Sequence, residues 1–207
     1  LNDKWFTVVP PEWDLAFLPT DIEEGISYLN DMQYCVAFAY ASRKLMMDRI
    51  INIVAEEFKL TENDILAMQM NIINIAHNYA KMENHFGQNV MIHRKGATLA
   101  TENTVGIIPG SGGSKSYIVR GKGDRNSFSS CSHGAGRRMS SSAAVKTLDF
   151  DAEVKKLNDQ GIIHSIRSKD KLSESDGAYK SIDTVMANQE DLVQILFELK
   201  PLATIKG

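Results

Sequence analysis

Apolar residues recur at helical spacing from Ile22 onward, through Ile26, Leu29, Val36 and Tyr40. Thr20-Asp21-Ile22-Glu23 stands just ahead of them and reads as a capping box that opens a helix. Helical composition continues to about Phe58, which predicts one long helix or two with a bend, with Met46, Met47, Ile50 and Val54 as core filler. Thr61-Glu62-Asn63-Asp64 is a second capping signal or a turn. Beyond it the rhythm changes. Ile72, Ile73 and Ile75 make Asn71 to His77 a predicted strand, and Gly87 marks a turn before a strand over Val90 to Arg94. Gly106 to Pro109 and Tyr117 to Val119 read as short strands around a Pro109-Gly110-Ser111-Gly112-Gly113-Ser114 loop. Helix is predicted over Gly136 to Val145 and Asp151 to Asp159, and strand over Ile162 to Ile166 and Leu192 to Leu199. There is no internal repeat. Strands and helices that do not alternate regularly predict an α+β fold rather than a doubly wound sheet.

A chain of 207 residues, 43% of them hydrophobic, supports one sizeable core with at most a subdomain. The net charge of −3 carries no global nucleic-acid signature. Locally the balance differs: Lys115, Arg120, Lys122, Arg125, Arg137 and Arg138 fall close together with few acids among them. Such a cluster either tracks a phosphate backbone or forms a solvated loop. The two cysteines, Cys35 and Cys131, form no C-x-x-C pair, which fits a reducing, cytoplasmic compartment. No apolar run has the length of a membrane span, so no membrane partner is expected. The first residue is leucine and no signal peptide follows, so a piece of a longer polypeptide is expected.

The densest candidate chemistry lies in Ser130-Cys131-Ser132-His133-Gly134-Ala135-Gly136-Arg137-Arg138-Met139-Ser140. Small residues let a bulky anion approach the backbone. A helix starting after Gly134 would aim its first N–H groups at that anion. Imidazole is also a nucleophile, so His133 has the chemistry to attack a phosphorus held there; a plain helix start with an incidental histidine is the bland alternative. His77, with Asn78, ends a predicted strand and is either a metal ligand or a packed surface residue. In His93-Arg94-Lys95-Gly96, Lys95 either neutralises phosphate charge or lies on a basic surface strand. The 110–116 loop fails the P-loop spacing, because Pro109 and Ser114 stand where that motif needs glycines, yet it can form an anion-binding nest. No K-x-D-G lysine motif is present, so a covalent nucleotidyl intermediate would have to form on a histidine.

Taken together, these motifs resemble the C-terminal half of the RtcB-type RNA-splicing ligases. The residues that carry the resemblance are Asp14-Leu15-Ala16-Phe17 with Glu23-Glu24-Gly25, His77-Asn78, His93-Arg94-Lys95-Gly96-Ala97-Thr98 and Pro109-Gly110-Ser111. They continue with Ser116-Tyr117-Ile118-Val119, Ser132-His133-Gly134-Ala135-Gly136-Arg137, Ala178-Tyr179-Lys180, Pro201-Leu202 and Lys206-Gly207. The resemblance spans nearly the whole chain and implies part of a single catalytic domain. It implies a GTP- and Mn2+-dependent ligase that joins RNA with a 2′,3′-cyclic phosphate or 3′-phosphate end to RNA with a 5′-hydroxyl end, through a covalent histidine–GMP. It implies His133 as nucleophile, Lys95 and Arg137 as phosphate-handling groups and His77 as a metal ligand. For guanylate it implies Asn78, Pro109, Gly110, Ser111, Gly112, Ser116, Gly134, Ala135, Gly136, Tyr179 and Lys206. The family's other metal ligands belong to an N-terminal half that this sequence does not contain, so the chain is expected to be inactive alone. Ser141 stands where the family has an arginine, Gly112-Gly113 where many relatives have Met-Gly, and Asp176 where proline is common. Those departures raise two alternatives: a non-catalytic binder of RNA ends or guanylate, and, more remotely, a phosphohydrolase with a histidine nucleophile.

Overall fold

The computed structural model describes residues 2–6, 8–13, 15–17 and 19–205. The chain divides into two compact units, residues 1–59 and 60–207. Both helices and strands are present, as the α+β reading expects.

The first unit holds a short helix α1 (Asn2–Trp5) and a 36-residue helix α2 (Glu23–Phe58), about 54 Å long at 1.5 Å per residue. One unbroken helix therefore accounts for the long helical stretch of sequence. Thr20 does not cap it. The N-cap is Ile22, which has no side-chain oxygen, and no side chain bonds the first turn's N–H groups there. Glu23 and Glu24 instead place negative charge at the positive end of the helix dipole, and Lys4 pairs with Glu24. A Cβ on Gly25 would sit 2.1 Å from the Pro19 carbonyl oxygen, so only glycine permits the incoming chain to cross so closely. The methionines do not fill a core: Met46 and Ile50 are more than half exposed, and Ile51 and Ala55 are buried instead. In α2 the apolar residues are distributed around the helix, and one face alone finds packing.

In the second unit, Thr61 caps α3 (Glu62–Met70) with the reciprocal Thr61–Asp64 bonds that its sequence predicts. Residues 71–77 form no strand; their isoleucines are half-buried. The strand begins at the next residue. β1 (Asn78–His85) and β2 (Gln88–Lys95) form an antiparallel hairpin that turns at Phe86-Gly87. β3 (Ala97–Leu99) follows, and β4 (Val105–Ile108) and β5 (Ser116–Gly121) bracket the glycine loop. β6 (Ser130–Ser132) returns antiparallel to β3. Helix begins only at Ser141, giving α4 (Ser141–Thr147), because residues 136–138 bond instead to the chain at 178–180. α5 (Phe150–Asp159) and β8 (Val193–Leu199) lie close to their sequence expectations, whereas α6 (Ile182–Ala187), capped by Ser181, is a helix the sequence reading does not include. The 162–166 strand shrinks to β7 (Ile163–His164), parallel to β9 (Ala203–Thr204).

The sheet β4–β5–β8 carries the core. Ile108, Tyr117, Val119 and Val193 pack with Cys131, Ala135, Ile182 and Met186. Tyr117 donates a hydrogen bond to Asp183 (2.7 Å), and burial together with that carboxylate pushes its phenol up to about 12. Along β6 the side chains alternate, with Cys131 facing the core. Continued alternation would put His133 on the same face as Cys131, but β6 ends at Ser132, and the turn that follows carries His133 out half-buried.

Candidate functional site

His133 leaves the end of β6 half-buried. Its ring stacks on His77, with centroids 4.7 Å apart and planes 12° from parallel. Three backbone links hold the pair. Gly96 donates to the His77 carbonyl (3.1 Å), His133 donates to the Gly96 carbonyl (3.3 Å), and Ser132 donates to the Gln189 side-chain oxygen (2.9 Å). Gly96 has φ +69°, and a Cβ there would lie 3.6 Å from two atoms of the His133 ring. The hairpin's open end therefore provides the floor beneath the candidate nucleophile. Asn78 begins β1 beside His77, and Lys95 lies opposite Asn78 in the register, exposed like it.

The expected helix start after Gly134 is absent, so no helix dipole aims at His133. Gly134 is folded back instead by Ser132, whose hydroxyl donates to the Gly134 carbonyl (2.7 Å). A Cβ on Gly134 would meet the Pro109 carbonyl oxygen at 3.2 Å, so the 109–114 loop packs directly beside the turn. Ala135 is buried in the core. Gly136, at φ +71°, accepts from the Lys180 N–H (2.9 Å).

The 109–114 loop has largely used its own donors. Gly110 N–H donates to Ser116 Oγ (3.2 Å) and Ser111 N–H to Ser114 Oγ (2.7 Å). The Ser111 hydroxyl donates to Asp176, placing a carboxylate at the loop where a phosphate nest would be expected. Thr204 Oγ1 donates to the Gly112 carbonyl (2.7 Å), and a cavity of about 30 Å³ lies beside Gly112, Gly113, Asp176 and Thr204. That is room for a water or two, not for a purine.

Arg137 is held on all sides. It donates to Met139 O (3.0 Å), Ser173 O (2.5 Å), Glu174 (3.0 Å) and the Tyr179 hydroxyl (3.1 Å), with its guanidinium 4.9 Å from the Tyr179 ring centre. Tyr179 in turn donates to Glu174; burial first, then this carboxylate, raises its phenol. Lys206 lies outside the described residues, as do Asp14 and Gly207 of the motifs above. The structure thus gathers His77, Asn78, Lys95, His133 and Gly134 at one end of the hairpin. It gathers Gly136, Arg137 and Tyr179 in a strut, and links both to the Pro109–Ser116 loop.

Gly96, Gln189, Glu174 and Asp176 were not singled out as site residues by their sequence. Gly96 left a trace there as the end of the His93–Gly96 motif, and Asp176 as a departure from the family pattern. Ser141 is exposed in the first turn of α4. Among the described residues no three His, Cys, Asp or Glu side chains gather into a metal-binding group. His77 by itself could offer one donor, and the manganese expected above would need further donors from outside the described residues.

The comparisons agree with the motifs. The family model described as tRNA-splicing ligase RtcB matches residues 2–207. The RNA-splicing ligase RtcB of Escherichia coli (strain K12) is 36% identical over 197 residues, covering 95% of this chain and 48% of that protein. The tRNA-splicing ligase RtcB of Thermococcus kodakarensis is 32% identical over 220 residues, covering 95% of this chain and 45% of its own length. That of Methanocaldococcus jannaschii is 34% identical over 227 residues, covering 99% and 23%. This chain spans about half the length, or less, of these curated relatives. A match across residues 2–207 shows that this chain belongs to the RtcB tRNA-splicing ligase family.

Proposed function

We propose that the protein carrying this chain is a GTP- and manganese-dependent RNA ligase with His133 as its nucleophile. It joins a 2′,3′-cyclic phosphate or 3′-phosphate end to a 5′-hydroxyl end. The supporting observation is the half-buried His133 ring, stacked on His77 over a glycine that leaves room beside it. A histidine sealed in the apolar core would argue against the reading.

The chemistry follows from what a phosphate monoester lacks. Its oxygens repel a nucleophile, and it has no good leaving group. A nitrogen of His133 attacks the α-phosphorus of GTP, the P–O bond to pyrophosphate breaks, and the imidazole proton is lost to solvent. An oxygen of the RNA 3′-phosphate then attacks that phosphorus, breaking the P–N bond and returning the imidazole. Finally the 5′-hydroxyl oxygen attacks the activated 3′-phosphorus, expels GMP and loses its proton. A cyclic phosphate is first opened by water to the 3′-phosphate. Lys95, exposed on the adjacent strand, is the cation placed to offset phosphate charge. The Asp176 carboxylate repels phosphate, so the Ser111–Gly112 side of the loop does not suit the triphosphate. Bound Mn2+ would neutralise phosphate charge, with His77 as this chain's donor. Without further donors the isolated chain is expected to be inactive. Free thiols at Cys35 and Cys131 support a reducing cytoplasm as its location. Among the described residues no helix is long and apolar enough to cross a membrane.

The test uses the full-length protein with α-labelled GTP and Mn2+. Acid-labile, alkali-stable label should appear on the protein and vanish in His133→Ala. An unlabelled full-length protein overturns the reading. Ser141, in place of the family's arginine, favours a second reading, a binder of RNA ends that no longer ligates. RNA-end binding without ligation by the same labelled-GTP-inert sample would establish it.

A further inference from the structure

At the far end of the β1–β2 hairpin lies a second feature that the nucleotidyl chemistry does not use. The hairpin turns through Phe86 and Gly87, at φ +53° and +79°. A two-residue turn with both residues left-handed normally places asparagine or aspartate where Phe86 stands. A bulky aromatic in that conformation is an outlier. Burial does not repay it, because Phe86 is 56% exposed. Across from it, Phe128 also sits at positive φ (+53°) and is 41% exposed.

These two rings meet edge to face at 5.9 Å, and His85 meets Phe128 at 5.2 Å. The Arg125 guanidinium lies 5.4 Å from the centre of Phe86. Between the hairpin tip and the 125–129 turn is a cleft of about 470 Å³, lined also by Lys81, Leu99 and Thr101. Its walls are fixed from behind by Arg94, a guanidinium 1% exposed. Arg94 donates to Glu83 (2.6 and 2.9 Å) and Tyr79 (3.1 Å) on the hairpin, and to Ser130 Oγ (3.0 Å) and the Phe128 carbonyl (3.0 Å) opposite. Glu83 is thereby neutralised, and the cations left facing the cleft are Lys81 and Arg125.

We propose that this cleft binds the single-stranded body of the RNA, with a base stacked on Phe86, which Phe128 backs edge to face, and its phosphate held by Arg125 and Lys81. Exposed aromatic faces beside cations suit a strand of any sequence, because every base has a π-face and every linkage a charge. Strained residues persist where the surroundings over-determine them, and here Arg94 does so for the Phe128 wall. The far end of the cleft, at the hairpin tip, stands seven strand residues from Asn78, about 24 Å along β1, and its near edge at Lys81 stands three. A single nucleotide at His133 does not reach the Phe86 ring; a longer strand leaving that site along the hairpin can.

This rests on the RNA-joining reading, and the test separates the two. In the full-length protein Phe86→Asn removes the ring yet suits the turn, and Arg125→Gln removes one cation. The measurements are affinity for a long single-stranded RNA, affinity for a dinucleotide end, and GTP labelling of His133. Phe86→Asn should weaken the long RNA about tenfold or more, and leave the dinucleotide and the labelling unchanged. Arg125→Gln should lower the salt slope of long-RNA binding by roughly one. If both variants bind long RNA as the parent does while labelling persists, the cleft is not an RNA site and the ligase reading stands. A parent that neither labels nor binds RNA overturns both. Loss of a protein partner from Phe86→Asn with RNA binding intact would also overturn the assignment.

Discussion

The imidazoles of His77 and His133 lie face to face, 4.7 Å between centroids. A flat ring at residue 77 lies against the proposed nucleophile, and its nitrogen is a donor that this chain could offer a metal there. Those two contributions separate by substitution. His77→Phe should keep thermal stability close to the parent's, and His77→Ala should lower it by about 1 kcal/mol through the lost ring contact. Both should abolish ligation by the full-length protein. Ligation at the parent rate by His77→Phe would reduce His77 to a packing partner.

Gly96 joins the two histidines by backbone bonds and has a left-handed conformation. Gly96→Ala should cost roughly 1–2 kcal/mol for the backbone alone. The added methyl should also fill the space beside the His133 ring, in ordinary contact with it at 3.6 Å. Calorimetry and GTP labelling together check this. Labelling should fall further than the folded fraction does.

Glu83 gives the fold a specific acid sensitivity. The Arg94 guanidinium hydrogen-bonded to it holds its carboxyl down to about 2, against burial pulling the other way, with His85 assisting. A carboxyl that is more acidic folded than unfolded stabilises above its unfolded value near 4.5 and loses that contribution as pH falls toward 2. The contribution is of order 2 kcal/mol. Glu83→Gln should be less stable at pH 7, and its stability should fall less steeply between pH 4.5 and 2. Denaturant titrations across that window supply the comparison. An unchanged slope would show that the pair does not govern acid unfolding.

Arg137 is expected from its family position to handle phosphate, yet its guanidinium is engaged by Glu174, Tyr179 and two carbonyls. Arg137→Lys cannot reproduce that fork and should destabilise by roughly 1–3 kcal/mol. A strut predicts an unchanged KM for GTP once the folded fraction is accounted for. A raised KM with stability intact would return Arg137 to the phosphate.

The long helix α2 was legible because its composition is helical without a break, and α3 because Thr61 and Asp64 make a local, reciprocal cap. Ile72, Ile73 and Ile75 misled because they report burial, and burial does not require strand pairing. β1 was hidden for the opposite reason. Asn78, Lys81, Glu83, Asn84 and His85 give it no apolar face, since a two-stranded ribbon leaves both faces partly wet. His133 and its small neighbours stood out as a motif. Gly96, Gln189 and Glu174 did not, because their contacts join residues distant along the chain, and nothing local to each marks the partner.

The Arg94 knot has a further consequence for how the molecule assembles. It ties Tyr79 and Glu83 to Phe128 and Ser130, groups 34 to 36 residues later than Arg94 itself. During synthesis the hairpin emerges first and carries a cation whose remaining acceptors do not yet exist. Its settled geometry, and with it the seat of His133 on Gly96, must wait until residues near 130 have been made. Closure of that span is therefore expected to be a late event in folding, with the local hairpin bonds exchanging hydrogen quickly until it occurs.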